Sequence, residues 1–279
     1  MTEDKNVDLR GNGAYTDGMA VRISAMLDIV FKYILGSKDS TKLLTSFINA
    51  VQRDSGFPEI ETVTIENPFN DKTYQDDKVS IIDVRAADKQ GNMYNVEVQL
   101  QSQPYFAERS LYYWAKSYAN QLQEGKEYKK LNKVIGINVL NFNLFPEHIP
   151  CHSCFLLHEK DNTDYVLTLD LVLHYLEARK LHAKPDTELQ QWLYFLLHAG
   201  EEDEKMKVLL ETNEIFHDAA ERYTRFTEDK QARMAATARS MFLHDQATRI
   251  GEAKREGMLE GMQEKAEETA QKLIDRGMD

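Results

Sequence analysis

The sequence lacks the features that mark a membrane-spanning or secreted protein. It contains no run of about 18 or more apolar residues, so no segment is expected to cross a bilayer. The first residues, MTEDKNVDLRGNG, include no apolar stretch of the kind found in secretory signals. Only two cysteines, Cys151 and Cys154, are present, which suits a reducing compartment. We therefore expect a cytoplasmic location.

Two common signatures of catalysis are also missing. No glycine-rich loop that could hold nucleotide phosphates occurs, and no Ser/His/Asp pattern indicates a triad hydrolase. Acidic side chains outnumber basic ones by 46 to 34, so the net charge is −12. That total argues against a protein that coats nucleic acid indiscriminately. Residues 1–150 carry only −3 and the remainder −9, so a local basic surface in the first half is not excluded.

What the chain does contain is a regular succession of strand and helix patterns. After a polar lead over residues 1–17, apolar periodicity predicts segments of both kinds. Helices are predicted at 19–35, 40–52, 104–124, 189–197, 206–216 and from 227 to the end, and strands at 60–66, 79–100, 133–140, 154–158 and 165–171. From residue 174 onward the pattern is helical and rich in charge, which is typical of a solvated or self-associating tail.

The stretch 79–100 has the pattern of a β-hairpin. Two runs rich in β-branched residues flank Asp88-Lys89-Gln90-Gly91-Asn92, with Gly91 where a three-residue loop needs positive φ. If the loop is centred on Gln90, residue numbers that face each other sum to 180, so Asp83 faces Glu97. Gln99 then shares their face, because strand side chains alternate. Two carboxylates placed opposite each other repel, which suggests a divalent cation between them; two carboxylates on a solvated face are the alternative.

A long helix follows the hairpin and precedes a strand whose centre, VIGINVL, is apolar throughout. Pro104 suits the helix start and Gly125 its end, and the buried stripe is predicted to include Phe106, Leu111 and Trp114. A strand, a helix and a buried strand in succession predict a parallel crossover.

These residues resemble the PD-(D/E)xK nuclease superfamily in its transposase-like branch, the Rpn family of recombination-promoting nucleases. The likeness covers residues 24–145. It is carried by DIVFK at 28–32 with Gly36, SIIDV at 80–84, NVEVQ at 95–99, ERSLYY at 108–113, QL at 121–122 with Gly125 and Tyr128, and the strand from Val134. The resemblance implies an α/β, restriction-endonuclease-like mixed sheet flanked by helices over residues 18–173. An all-helical, coiled-coil-like extension over 174–279 follows.

The resemblance also implies a site and a substrate. Asp83 and Glu97, with the main-chain carbonyl of Val98, would hold Mg²⁺, for which Mn²⁺ can substitute, and Asp28 would add a further carboxylate. Gln99 stands where most relatives have lysine. The expected activity is DNA cleavage that promotes recombination or transposon-like mobility, or defence against foreign DNA. A catalytically impaired DNA- or protein-binding module that self-associates through its tail remains the alternative, and RNA is an alternative substrate.

Basic and polar side chains after the hairpin are candidates for contact with nucleic acid. They are Lys116, Gln121, Lys126, Lys129 and Lys130, of which Lys116 could also replace the missing lysine. Such a cluster is otherwise a solvated face. No aromatic pattern indicates base-specific recognition, so contacts to the phosphate backbone are expected to dominate.

The segment HIPCHSC at 148–154 contains a CxxC motif with two histidines. Ligands packed so closely are awkward for zinc, and a redox CxxC usually opens a helix rather than leading into a strand. We expect ordinary thiols here, with a zinc or redox site as the alternative.

Overall fold

The fold is taken from a computed structural model that describes residues 22–67, 69, 84–122, 127–181 and 184–275. The chain divides into two units, one ending at Arg233 and the other beginning at Met234. None of the helices in the described residues has both the length and the apolar content needed to cross a bilayer.

The first unit contains a mixed six-stranded sheet in the order β1-β2-β3-β4-β6-β5. β3 pairs in parallel with β4 and β4 with β6, whereas the outer pairs β1–β2, β2–β3 and β5–β6 are antiparallel. The strands are β1 Val63–Ile65, β2 Val84–Asp88, β3 Met93–Gln99, β4 Val134–Leu140, β5 His152–His158 and β6 Val166–Glu177. The predicted α/β architecture and its parallel crossover are confirmed.

Helices flank the sheet, and further helices follow it in the sequence. They are α1 Asp28–Leu35, α2 Thr41–Asp54, α3 Phe106–Ala119, α4 Glu188–His198, α5 Glu204–Thr212, α6 Glu214–Glu228 and α7 Lys230–Asp275, with short 3₁₀ turns at Tyr128–Lys130 and Ala178–Lys180. In the second unit, the described residues all belong to α7.

Four details differ from the sequence-based expectations. Residues 22–27 are not helical, so α1 begins only at Asp28. The helix predicted at 206–216 is broken at Asn213, whose side chain accepts a hydrogen bond from the Ile215 N–H (3.0 Å) and so caps α6. β6 runs on to Glu177, because residues Leu171–Glu177 pair with the buried strand β4. On α3, Leu111 is exposed and Ser110 is buried.

The sheet separates two layers of side chains. On one face, Val84, Ala86, Tyr94, Val96 and Val98 are buried in the layer that contains α1 and α2. On the other, α3 packs against β4 and β6: the Trp114 indole N–H donates to the Val134 carbonyl (2.7 Å), and Ser110 Oγ lies 2.5 Å from Tyr175 Oη. The face that carries Asn95 and Glu97 therefore lies under α3.

Gly136 is where the two middle strands need a residue without a side chain. A Cβ there would lie 2.7 Å from Leu173 Cδ2 on the neighbouring strand. The close approach of β4 and β6 beneath α3 depends on this glycine.

Candidate active site

The β2–β3 hairpin has the register that the sequence predicts. All four of its described pairs, from Val84 with Val96 to Ala87 with Met93, consist of residue numbers that sum to 180. Gly91 has φ +85° in the connecting loop, as expected. Asp83, the first predicted carboxylate, lies outside the described residues.

Glu97 is the second predicted carboxylate, and it is buried beneath α3. Only 8% of the residue is exposed. Gln99 Nε2 donates a hydrogen bond to Glu97 Oε1 (2.7 Å), so the two motif residues on this face lie in direct contact. Burial raises the pKa of Glu97, while the charge of Arg109 and hydrogen bonds from Gln99 and Arg109 oppose that rise. The balance is a carboxylate that is costly to keep ionised.

Arg109 is the site residue that the sequence interpretation missed. It lies in the first turn of α3, and its NH2 atom lies 3.4 Å from Glu97 Oε1. Its NH1 atom donates to Gln103 Oε1, and its guanidinium carbon lies 5.1 Å from the centre of the Phe106 ring. The available signal was the ERSLYY stretch, which carries the family resemblance and includes this arginine.

Beside Glu97, the sheet and α3 line a small polar cavity of about 20 Å³. Its lining is formed by Asn95, Glu97, Ser110, Tyr113, Trp114, Gly136, Asn138 and Leu173. Asn95 Nδ2 donates to Ser117 Oγ (3.1 Å), but Asn95 Oδ1 is buried without a hydrogen-bond partner among the described residues. Such an orphaned acceptor in a polar cavity indicates a place for a water or an ion.

The donor chemistry of this face suits a hard cation. Glu97 supplies a carboxylate and Asn95 an amide oxygen, and Mg²⁺ prefers oxygen donors. Within the described residues, no three His, Cys, Asp or Glu side chains are grouped in a way that could hold a metal. A metal bound here therefore needs further oxygen donors, either amide, hydroxyl or main-chain oxygens or carboxylates outside the described residues.

The remaining predicted site residues lie in different places. Asp28 is the first residue of α1, and its Oδ1 accepts from the Ile29 N–H (2.8 Å). Val98 follows Glu97 with its side chain buried on the opposite face. Lys116 is exposed on α3, seven residues or about two turns beyond Arg109. The Gln121 side chain bonds to both the N–H (2.8 Å) and the carbonyl (3.0 Å) of Asn132.

The predicted basic cluster is only partly within the described residues. Lys129 and Lys130 are exposed in the 3₁₀ turn, where Lys129 pairs with Glu127 (3.0 Å). Lys126 lies outside the described residues.

A second group of polar side chains lies in the layer that contains α1 and α2. His152 Nδ1 is 2.6 Å from Asp54 Oδ2, and His152 Nε2 is 3.0 Å from Nδ1 of the fully buried His174. Burial lowers the pKa of His174 to about 3, with a smaller contribution from the charge of His152. Both cysteines are free, and burial raises the pKa of each, that of Cys154 to about 11. Neither thiol is activated as a nucleophile.

Comparison with known proteins identifies the family. The model of the PD-(D/E)XK nuclease family transposases matches residues 25–253, so the chain belongs to this family. The match extends past the resemblance at residues 24–145, through α4, α5 and α6 and into α7. No curated protein and no solved structure matches the chain at a significant level. Membership indicates nuclease-type activity on DNA, and such nucleases generally use divalent metals.

Proposed function

We propose that this member of the PD-(D/E)XK nuclease transposase family is a divalent-metal-dependent DNA endonuclease. Asp83 and Glu97, with the Val98 carbonyl, are its metal ligands, Mg²⁺ is the physiological ion and Mn²⁺ can substitute. Asp28 is a further candidate carboxylate. We also propose that cleavage promotes recombination or transposon-like mobility, and that the helices of residues 174–279 mediate self-association.

The observation that carries this proposal is the register of the hairpin together with the burial of Glu97. A register in which every described pair sums to 180 is the one that the pairing of Asp83 with Glu97 requires. Glu97 is 8% exposed and burial raises its pKa, so keeping it ionised costs more free energy than for a surface glutamate. Ionisable groups perturbed in this way occur preferentially at functional sites.

The residues around Glu97 have separable tasks. Gln99 fixes the orientation of the Glu97 carboxylate through its 2.7 Å hydrogen bond, and the rest of its amide can position a water. α3 covers the face, where Glu97 is only 8% exposed, and this burial strengthens electrostatic interactions there. When bound, a divalent ion would lower the pKa of a coordinated water and neutralise charge at the phosphate.

The test is plasmid nicking with Mg²⁺ or Mn²⁺ by the wild-type chain, Asp83→Asn, Glu97→Gln and the control Glu61→Gln. Glu61 is exposed and pairs with Lys89 (2.6 Å), so its replacement removes one carboxylate away from the site. We expect nicking by the wild type and the control, and none by the other two. A wild type that binds DNA but never nicks it, or nicks RNA instead, would contradict the proposal and favour the binding-module or RNA alternative.

Binding of the ion needs its own measurement. Titration of Mn²⁺ followed by electron paramagnetic resonance should show a site in the wild type that is weakened in Asp83→Asn and Glu97→Gln. Unchanged Mn²⁺ affinity in both variants would remove these carboxylates from the metal site.

A further inference from the structure

The described part of the candidate site is short of positive charge. Glu97 is an acid, Gln99 is neutral, and the substrate of a nuclease is an anionic phosphodiester. Among the described residues, the cation in contact with Glu97 is Arg109, at 3.4 Å. Lys116, two turns further along α3, has an exposed side chain on the helix.

The guanidinium of Arg109 is held on several sides. Gln103 accepts from NH1, Glu97 lies beside NH2, and the Phe106 ring lies below the guanidinium carbon. These contacts fix a side chain that would otherwise lose much conformational entropy on binding a ligand. Within the described residues, its recorded bonds use two of the five N–H donors that an arginine carries. Its side chain is 29% exposed, so part of it is open to a ligand.

The turn that carries Arg109 begins in an unusual conformation. Tyr105, immediately before α3, has φ +57°, and no other non-glycine residue in the described part of the chain has positive φ. Arg109 N–H donates to the Tyr105 carbonyl (2.9 Å), which ties the arginine to that turn. Strained backbone of this kind persists mainly where the surrounding structure needs a particular placement.

We infer that Arg109 binds the phosphodiester group of the DNA at this site, and so supplies the positive charge that Gln99 does not. This inference rests on the proposed nuclease function. A guanidinium suits the task, because its planar donors match two phosphate oxygens at once. Arg109 also faces Glu97, which remains its partner in the absence of DNA.

The experiment measures the affinity for a fluorescent DNA duplex with EDTA present, over a range of salt concentrations. The variants are Arg109→Gln, Arg109→Lys and the charge-matched control Lys207→Gln, on the exposed side of α5. We expect Arg109→Gln to weaken binding about tenfold and to reduce the salt slope by about 0.9, as for one lost phosphate contact. Arg109→Lys should recover the salt slope and part of the affinity, and Lys207→Gln should match the wild type.

A double variant separates phosphate binding from simple pairing with Glu97. If Arg109 only neutralises Glu97, then Arg109→Gln has no effect on DNA affinity in the Glu97→Gln background, and the inference is overturned. If Arg109 contacts phosphate, the loss persists there with the same change in salt slope. Arg85 is exposed on the same sheet face. If Arg85→Gln weakens DNA binding and Arg109→Gln does not, the inference is also overturned.

The outcomes distinguish this inference from the proposed function. A wild type that neither binds nor cuts DNA contradicts the proposed function itself. A wild type that cuts DNA, alongside an Arg109→Gln variant that binds and cuts equally well, contradicts only the assignment of Arg109. Circular dichroism melting of each variant shows whether a loss reflects unfolding instead: the inference requires Arg109→Gln to melt as the wild type does.

Discussion

Two glutamates are buried in the part of the chain that the structure describes, and their surroundings differ. Glu177 is 0% exposed, yet its carboxylate accepts from the Leu144 and Phe145 N–H groups and from Lys180 Nζ (2.8 Å). Lys180 in turn donates to the carbonyls of Pro146 (2.9 Å) and Ile149 (3.0 Å). Glu97 is nearly as buried but contacts only the side chains of Gln99 and Arg109 among its recorded partners in the described residues.

The difference shows that burial by itself does not indicate a functional carboxylate. Glu177 is matched by main-chain donors and a full counter-charge, so its role is to tie the 144–149 segment to β6. Glu97 has only the side chains of Gln99 and Arg109 as partners in the described residues, and burial raises its pKa. A buried carboxylate with incomplete compensation costs stability, and such a cost persists where function requires it.

The largest effect on stability is expected at Glu177. Glu177→Gln leaves Lys180 buried without its counter-charge, which should lower the free energy of unfolding by about 3 kcal/mol or more. Urea denaturation measures this change in the free energy of unfolding. The paired variant Glu177→Gln/Lys180→Met should recover part of the loss, and equal stability of the wild type and Glu177→Gln would contradict the structural role.

The opposite result is expected at Glu97. Glu97→Gln should lower the nicking rate by about a hundredfold or more. Even residues that only contact a metal ligand contribute tenfold to a hundredfold to metal affinity or activity. The stability of the variant should be unchanged or higher, by roughly 0.5–2 kcal/mol, since the cost of burying a charge is removed. Nicking rates and urea denaturation of one preparation test both halves; retained activity or a large destabilisation would erase the contrast with Glu177.

A buried neutral histidine extends the comparison to acid pH. His174 has a pKa of about 3 in the folded chain, so below pH about 6.5 only the unfolded chain binds its proton. Unfolding then takes up a proton, and stability falls with falling pH by up to about 1.4 kcal/mol per unit until pH nears the folded pKa.

The measurement is urea denaturation between pH 7 and pH 5. His174→Gln should show a shallower fall than the wild type, while His148→Gln, at an exposed position, should keep the wild-type slope. His152 lies against His174 and contacts Asp54 on its other ring nitrogen, so the comparison uses slopes rather than absolute stabilities. Parallel curves for all three proteins would show that His174 does not control the acid response.

The smallest effect is expected in the hairpin loop that sets the position of Glu97. Gly91→Ala places a side chain at φ +85° and its Cβ 2.9 Å from Asn132 Nδ2, at a cost of about 1 kcal/mol or more. Gly251→Ala, on the open surface of α7, should be neutral or slightly stabilising. Thermal melting compares the two, and identical shifts would mean that the loop conformation is not constrained.

Local patterns predicted the parts of this fold that depend on neighbours in sequence. Gly91 fixed the loop and hence the register of β2 with β3, and the apolar run of β4 indicated a strand buried on both faces. On α3 the prediction of a buried Leu111 was wrong, because the helix turns Ser110 towards the sheet, where it bonds to Tyr175. Sixty-five positions separate that pair, and no local pattern reports such a contact.

The candidate site, too, was predictable only where its residues are close in sequence. Glu97 and Gln99 are close in sequence and share one strand, so alternation places them together. Arg109 meets Glu97 only because α3 crosses the sheet, and His174 meets His152 only because β5 and β6 pair. No periodicity in the sequence predicts these two contacts. The assignments of Asp83 and the basic residues remain predictions.

The size of the cavity beside Glu97 limits what can occupy it. At about 20 Å³ it has room for roughly one water molecule and none for a nucleotide or a chelating agent. We therefore expect a single water or ion to lie inside it, while the phosphodiester group of DNA remains outside.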